Sequence, residues 1–274
     1  MDMDNPGLTR ESKLVLGTLV LAATVMLLNE TTLSVALPVI MDSFGVTAAT
    51  AQWLTTGFML TMAVVIPTTG FIIERLTTRQ VFITAFVFFL GGTLVAALAP
   101  VFLVLLGGRV LQAAGTALIM PLLMTTVMNV VPPSMRGSFV GMMSVVISLA
   151  PAFGPTVSGF ILNYFSWHFV FWFMVPFVVF ILLVGVKYIS NVGESTEKPF
   201  DIISVPLAAI GFGGLVYALS DIETLMAGSF VPIIVGVAAI IALVAFVLRQ
   251  LSLGKRDQAF LDLRVFAVPG FAIA

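Results

Sequence analysis

Glu30 stands well inside a long apolar stretch, in Leu28-Asn29-Glu30-Thr31-Thr32-Leu33-Ser34-Val35-Ala36-Leu37-Pro38. A carboxylate withdrawn from water is costly in its charged form, so an acid in such a place is suited to take up and release a proton. If the stretch is helical, at about 100° per residue, Thr24, Glu30, Thr31 and Ser34 share roughly one third of the circumference and make a polar face. Glu30, with Asn29 beside it, is the candidate for proton coupling, and Thr31 and Ser34 are candidates for lining a cavity. The plainer alternative is a glutamate neutralised by a neighbouring helix. A second charge, Arg109, also lies in apolar surroundings, and Arg109, Gln112, Thr116 and Met120 follow one another at helical spacing along one face. Arginine keeps its proton, so within a membrane it requires an acid, carbonyls or a water-filled cavity. Arg109, Gln112 and Thr116 are therefore cavity or substrate candidates. The alternative is an arginine that snorkels to the outer boundary near Pro100.

Two further patterns concern movement rather than chemistry. Gly70-Phe71-Ile72-Ile73-Glu74-Arg75-Leu76-Thr77-Thr78-Arg79 closes an apolar run with a glycine, an acid, an arginine and a second arginine four residues on. The basic pair suits a helix C-terminus. A topogenic charge cluster would explain it too, but the order of residue types makes Gly70, Glu74, Arg75 and Arg79 candidates for a gating loop. In a later run, Gly141, Ser144, Ser148, Ala152, Pro155 and Gly159 form a stripe of small residues, with Gly154-Pro155 in its middle. Small residues let membrane helices approach closely, and proline removes a backbone donor and kinks the helix. Gly154, Pro155 and Gly159 are the packing candidates.

Other chemistry has little support. Cysteine is absent, which excludes disulfides, thiol catalysis and cysteine-based metal sites. His168 is the only histidine and has no second ligand nearby, so no metal site is expected. Gly211-Phe212-Gly213-Gly214 sits within an apolar helix rather than after a strand, so it serves packing and not a dinucleotide. Gly254-Lys255 lacks the earlier glycine of a phosphate loop and is followed by Arg256. No enzyme activity, no cofactor and no nucleic-acid partner is expected.

The elements that must position these residues are membrane spans. Of the 274 residues, 60% are hydrophobic and 9% charged, with a mean hydropathy of +1.17, far from a soluble domain with about a quarter of its residues charged. Apolar runs fall at about Leu14 to Ile40, Ala51 to Ile73, Gln80 to Ala99, Val101 to Val131, Gly137 to Leu162, Trp167 to Ile189, Ile202 to Leu219 and Phe230 to Leu248. These predict eight transmembrane helices. A ninth run opens at Val265, and Ala274 comes too soon for it to span. Met1 to Lys13 are polar and no cleavage pattern follows, so the first helix reads as uncleaved.

The loops alternate in charge. Arg10, Lys13, Arg75, Arg79, Arg136, Lys187, Lys198, Arg249, Lys255, Arg256 and Arg264 fall on one face, eleven of the twelve basic residues. The opposite loops offer Asp42, Asp221 and Glu223. The positive-inside rule then predicts a multi-pass protein of the cell (cytoplasmic) membrane with a cytoplasmic N-terminus.

Taken together, these segments resemble the fourteen-helix drug:proton antiporters of the major facilitator superfamily, the EmrB/QacA-like type. The family's first-helix pattern is matched at Thr31, Val35, Ala36, Leu37 and Pro38, with Asn29 at the usual aspartate position and Glu30 adjacent. Gly70, Arg75 and Arg79 fit its loop between helices two and three, with Glu74 for Asp and Thr77 for Gly. Arg109, Gln112 and Gly115 fit the fourth-helix motif, with Ala113 for Gly, and Gly154, Pro155 and Gly159 fit the fifth-helix antiporter motif. Ser166-Trp167-His168-Phe169 and Phe260-Leu261-Asp262-Leu263-Arg264 resemble segments leading into the sixth and ninth helices.

The resemblance implies an all-α membrane protein: residues 1–190 as an N-terminal six-helix transporter half, 191–254 as an inserted transmembrane pair, and 255–274 as a connector and the truncated start of a C-terminal half. It implies proton-coupled efflux of small lipophilic compounds, cationic ones included, with protons, the bilayer and the missing C-terminal half as partners. Alternatives are a transporter of another small solute on the same fold, or a non-transporting membrane assembly or regulatory remnant.

Overall fold

The computed structural model describes residues 8–191, 201, 203–220 and 228–254. Lys198, Asp221, Glu223, Lys255, Arg256, Arg264 and the run from Val265 lie outside these described residues. Among the described residues the chain forms α1 (Arg10–Phe44), α2 (Ala48–Arg75), α3 (Thr78–Ala97), α4 (Phe102–Val130), α5 (Pro133–Tyr164) and α6 (His168–Tyr188). Two more follow, α7 (Ser204–Ser220) and α8 (Val231–Gly254). Seven of these are long and apolar enough to cross a membrane. The predicted span from Ile202 is the exception, since its described helix stops at Ser220 and is shorter than the others. Its middle, Ala209–Gly213, widens into a π-helical turn.

Local chemistry sets the helix ends. The 35-residue α1 extends beyond its apolar run at both ends, reaching about 50 Å at 1.5 Å per residue, well over a hydrocarbon core of about 30 Å. Thr9 caps its start by accepting from the Ser12 amide at 3.2 Å, and Gly45, in the left-handed region at φ 63°, ends it. A capping box opens α3: Gln80 N donates to Thr77 Oγ1 at 3.3 Å and Thr77 N to Gln80 Oε1 at 3.0 Å. Arg136 donates to the carbonyls of Met128 (2.7 Å) and Val131 (3.0 Å), placing its charge at the C-terminal carbonyls of α4.

Within the spans, hydroxyls return to their own backbone: Thr18 to Leu14, Thr24 to Val20, Thr93 to Phe89 and Thr126 to Leu122, each at 2.7 Å. An apolar medium offers no other partner, so this local bond satisfies the group. Large side chains such as Phe88, Leu103, Phe160, Phe180 and Ile234 are exposed, as suits surfaces that meet lipid tails.

The described residues divide into two packing units. The first holds the residues through Thr55 and those from Leu76 through α6. In it, α3 lies against both α4 and α6, and α1 against α4, α5 and α6. Its core joins Leu33, Ala36 and Ile40 of α1 to Ala96 of α3, Leu105 of α4 and Phe171 of α6. One end closes on aromatics: Phe44 packs on Trp167 and Phe102, and Trp167 Nε1 donates to Ser43 Oγ at 3.1 Å. The second unit groups Thr56–Arg75 of α2 with α7 and α8, so packing partitions the chain differently from a purely sequential division at residue 190.

Candidate functional site

Glycines bring α3 and α4 together. A Cβ on Gly92 would lie 2.5 Å from the Gly108 carbonyl and 2.6 Å from the Gln112 nitrogen. One on Gly108 would meet Ala96 N at 2.9 Å, and one on Gly115 would strike the Ala85 carbonyl. Only hydrogen fits at these points, and the resulting approach carries polar side chains into contact across the interface.

Arg109, one turn before the bridging Gln112 on α4, is only 1% exposed. Its Nη1 donates to Gln112 Oε1 at 2.9 Å and to Asn29 Oδ1 of α1 at 3.4 Å. Its Nε donates to the Leu54 carbonyl of α2 at 3.3 Å. Gln112, fully buried, passes the chain on: its Nε2 donates to Thr93 Oγ1 at 2.9 Å, and Thr93 bonds back to the Phe89 carbonyl. The arginine is therefore enclosed by helices and does not snorkel. Asn29, which accepts from this guanidinium, stands directly beside Glu30 on α1.

The two neighbours on α1 divide their parts. Asn29 is buried against Arg109, and its Nδ2 has no hydrogen-bond partner among the described residues. Glu30 is half-buried. The face drawn from the sequence is thus split: Ser34 is exposed, with its Oγ 3.4 Å from the Glu30 carbonyl, while Thr31 spends its hydroxyl on the Leu27 and Leu28 carbonyls. Thr32, buried and not singled out, bonds to the carbonyls of Leu28 and Asn29. Thr116 is buried and donates to the Gln112 carbonyl at 2.9 Å.

The fifth-helix stripe requires a correction. Gly141, Ser144, Ser148, Ala152 and Pro155 are exposed, and a Cβ on Gly141 or Gly159 would meet nothing within 4 Å. The buried stripe is Met143, Ala150, Gly154, Ser158 and Ile161. Of the three packing candidates Gly154 alone makes a close contact, since a Cβ there would strike the Thr31 side chain of α1. Pro155, the next residue, is turned about 100° away. Gly70, Glu74 and Arg75 are exposed on the last turns of α2, and Arg79 is exposed on the first turn of α3.

Several residues were not singled out by sequence reasoning. The Leu54 carbonyl and Thr93 carry no motif of their own. Gly108, seven residues before the motif residue Gly115, was readable with it as a small-residue seam. Asp201, Ser204, Arg249 and Gln250 form a polar cluster in the second unit: Arg249 donates to both Asp201 oxygens, at 2.6 and 2.7 Å. Ser204 Oγ donates to Asp201 Oδ2 at 2.5 Å and accepts from Gln250 Nε2 at 2.7 Å. Through the Arg249 hydrogen bond first of all, the Asp201 carboxyl is held below its usual range. No separation of 48 residues is legible from sequence alone.

Comparison with known proteins fits this architecture. The Major Facilitator Superfamily profile matches residues 19–274. The lincomycin resistance protein LmrB of Bacillus subtilis is 38% identical over 257 residues, 93% of this chain and 53% of its own length. That of Listeria monocytogenes is 41% identical over 94% of this chain and 54% of itself. The putative multidrug resistance protein MdtD of Escherichia coli is 27% identical over 90% and 51%. The chain thus spans about half the length of the curated relatives it matches. Among solved structures, the human organic anion transporter MFSD10 (TETRAN) has a TM-score of 0.60 at 16% identity over 77% of this chain and 55% of its own. The peptide transporter POT in complex with sulfate gives 0.60 and 16% over 93% and 52%. At such identities the likeness is one of fold. With helices of membrane-spanning length, a buried arginine network on α4 and a family match over most of its length, this chain belongs to the Major Facilitator Superfamily.

Proposed function

We propose that this chain is the N-terminal part of a proton-coupled multidrug exporter, an antiporter of the cytoplasmic membrane. The carrying observation is the polar network set into apolar helices: Arg109 is enclosed on α4 and donates to Asn29 of α1, the residue next to the acid Glu30. The relatives named for lincomycin and multidrug resistance support drugs as the substrate class. Glu30, with Asn29 beside it, takes and releases the proton. Thr31, Ser34, Gln112 and Thr116 belong to the solute path with Arg109, and Gly70, Glu74, Arg75 and Arg79 to a loop that gates it. Residues 1–190 act as one transporter half, 191–254 as an inserted pair, and a C-terminal half completes the path between two rocking halves.

A proton and a cationic drug that compete for one acid weaken each other by the same coupling free energy, and exchange follows from that competition. In the completed transporter, Glu30→Gln should keep some binding of lincomycin or lipophilic cations, lose proton-driven export from energised vesicles, and lose the pH dependence of binding. Unchanged proton-driven export would sink the assignment. The orientation has its own test: a cysteine at Asp221 labels from outside, and one at Lys198 does not. The reverse pattern would invert the topology.

A further inference from the structure

The α7–α8 pair has a built-in lock and a seat. The lock is the Asp201 cluster, which ties the start of α7 to the end of α8. Arg249 grips Asp201 with a two-pronged fork, and Ser204 and Gln250 behind it are buried, at 0% and 1% exposed. Fork geometry fixes direction as well as distance, so the two helix ends are held in one register. Along the pair, glycines fit α7 to α8: a Cβ on Gly211 would meet Leu243 at 2.7 Å, and one on Gly214 would meet Ala239 at 2.9 Å. Phe212 adds an edge-on contact with Phe246. The seat faces another way. A Cβ on Gly213 would lie 3.0 Å from Val64 Cγ2 and 3.8 Å from Leu60 Cδ1, both on α2. The π-helical turn at Ala209–Gly213 ends at this glycine, and such turns shift the register of the residues that follow. The α2 segment that rests there, Thr56–Arg75, packs with α7 and α8 and carries Gly70, Glu74 and Arg75 at its end.

We propose that the α7–α8 pair is a clamped guide for the C-terminal part of α2, with the Asp201–Arg249 fork as its lock and Gly213 as the seat for Leu60 and Val64. The inserted pair is then a working part that holds the motif-bearing end of α2 in place, rather than a spacer. This assignment is independent of what the transporter carries.

The chain has no native cysteine, so an introduced pair reports alone. In membrane vesicles holding the 274-residue chain, Val64→Cys with Gly213→Cys should form a disulfide under mild oxidation. On that background, Asp201→Asn should slow the cross-link several-fold; in a separate protein whose single cysteine is Ile73→Cys, Asp201→Asn should make a spin label there more mobile. Arg249→Lys keeps the positive charge that sets insertion but loses the fork, and it should slow the cross-link likewise. Asp201→Arg combined with Arg249→Asp should recover part of the rate. Failure of the cross-link with the lock intact would overturn the seat. An unchanged rate and label mobility in Arg249→Lys would overturn the lock.

Discussion

Two arginines, each held by side-chain hydrogen bonds, are solved in opposite ways. Arg109 is fully enclosed and donates to an asparagine, a glutamine and a carbonyl. Arg249 lies near the end of α8, its side chain 34% exposed, and is matched to a carboxylate through two short bonds. The difference follows from surroundings. An ion pair at a helix end is partly solvated and acts as a clamp whose strength varies with pH and salt. A charge enclosed among helices is spread over several dipoles from three of them, which ties those helices together at one point. The first arrangement clasps two helix ends, and the second joins three helices inside the apolar layer.

The comparison is broken most readily at Arg109. Arg109→Ala removes donors from three acceptors and leaves a cavity, and should destabilise the chain by about 3 kcal/mol. An SDS titration in mixed micelles, read by tryptophan fluorescence, would show it as a large drop in the midpoint, and an unchanged midpoint would mean that the network is dispensable.

A smaller effect is expected where α1 meets α5. Gly154→Val should cost about 1–3 kcal/mol by overpacking against Thr31, whereas Gly159→Val, with open space around it, should leave the midpoint nearly unmoved. Equal effects at both positions would remove the distinction between the two stripes of α5.

The smallest change belongs to the clasp. Because Asp201 is held below its ordinary range in the folded chain, its contribution is complete above the ordinary aspartate value of about 4. It is lost as the pH falls through the folded value. Titration from neutral pH to about pH 3 should therefore weaken the α7–α8 pair, and Asp201→Asn should start weaker and lose less over that range. High salt should narrow the gap between the two proteins, as it does for a partly exposed pair. Parallel acid profiles for both would place the pH response elsewhere.

The sequence by itself determined the membrane class and the helix order, because burial in lipid requires long apolar runs with internally satisfied backbones, and that requirement is local and periodic. It also marked Arg109 and Gln112, since a polar pair at helical spacing is conspicuous in an apolar run. What it left open was direction. The stripe on α5 had the right composition at Gly141, Ser144 and Ser148, yet the face one residue round is the buried one, and only the neighbouring helix decides between faces 100° apart. Asn29 and Glu30 are likewise adjacent in sequence, and the tertiary structure sends one to Arg109 and leaves the other half-buried. Thr93, the Leu54 carbonyl and the Asp201–Arg249 fork depend on helices that meet 19, 55 and 48 residues apart. No local periodicity encodes those meetings; the first and last go with glycines that let α3 close on α4 and α7 on α8, and closure is a property of both partners at once.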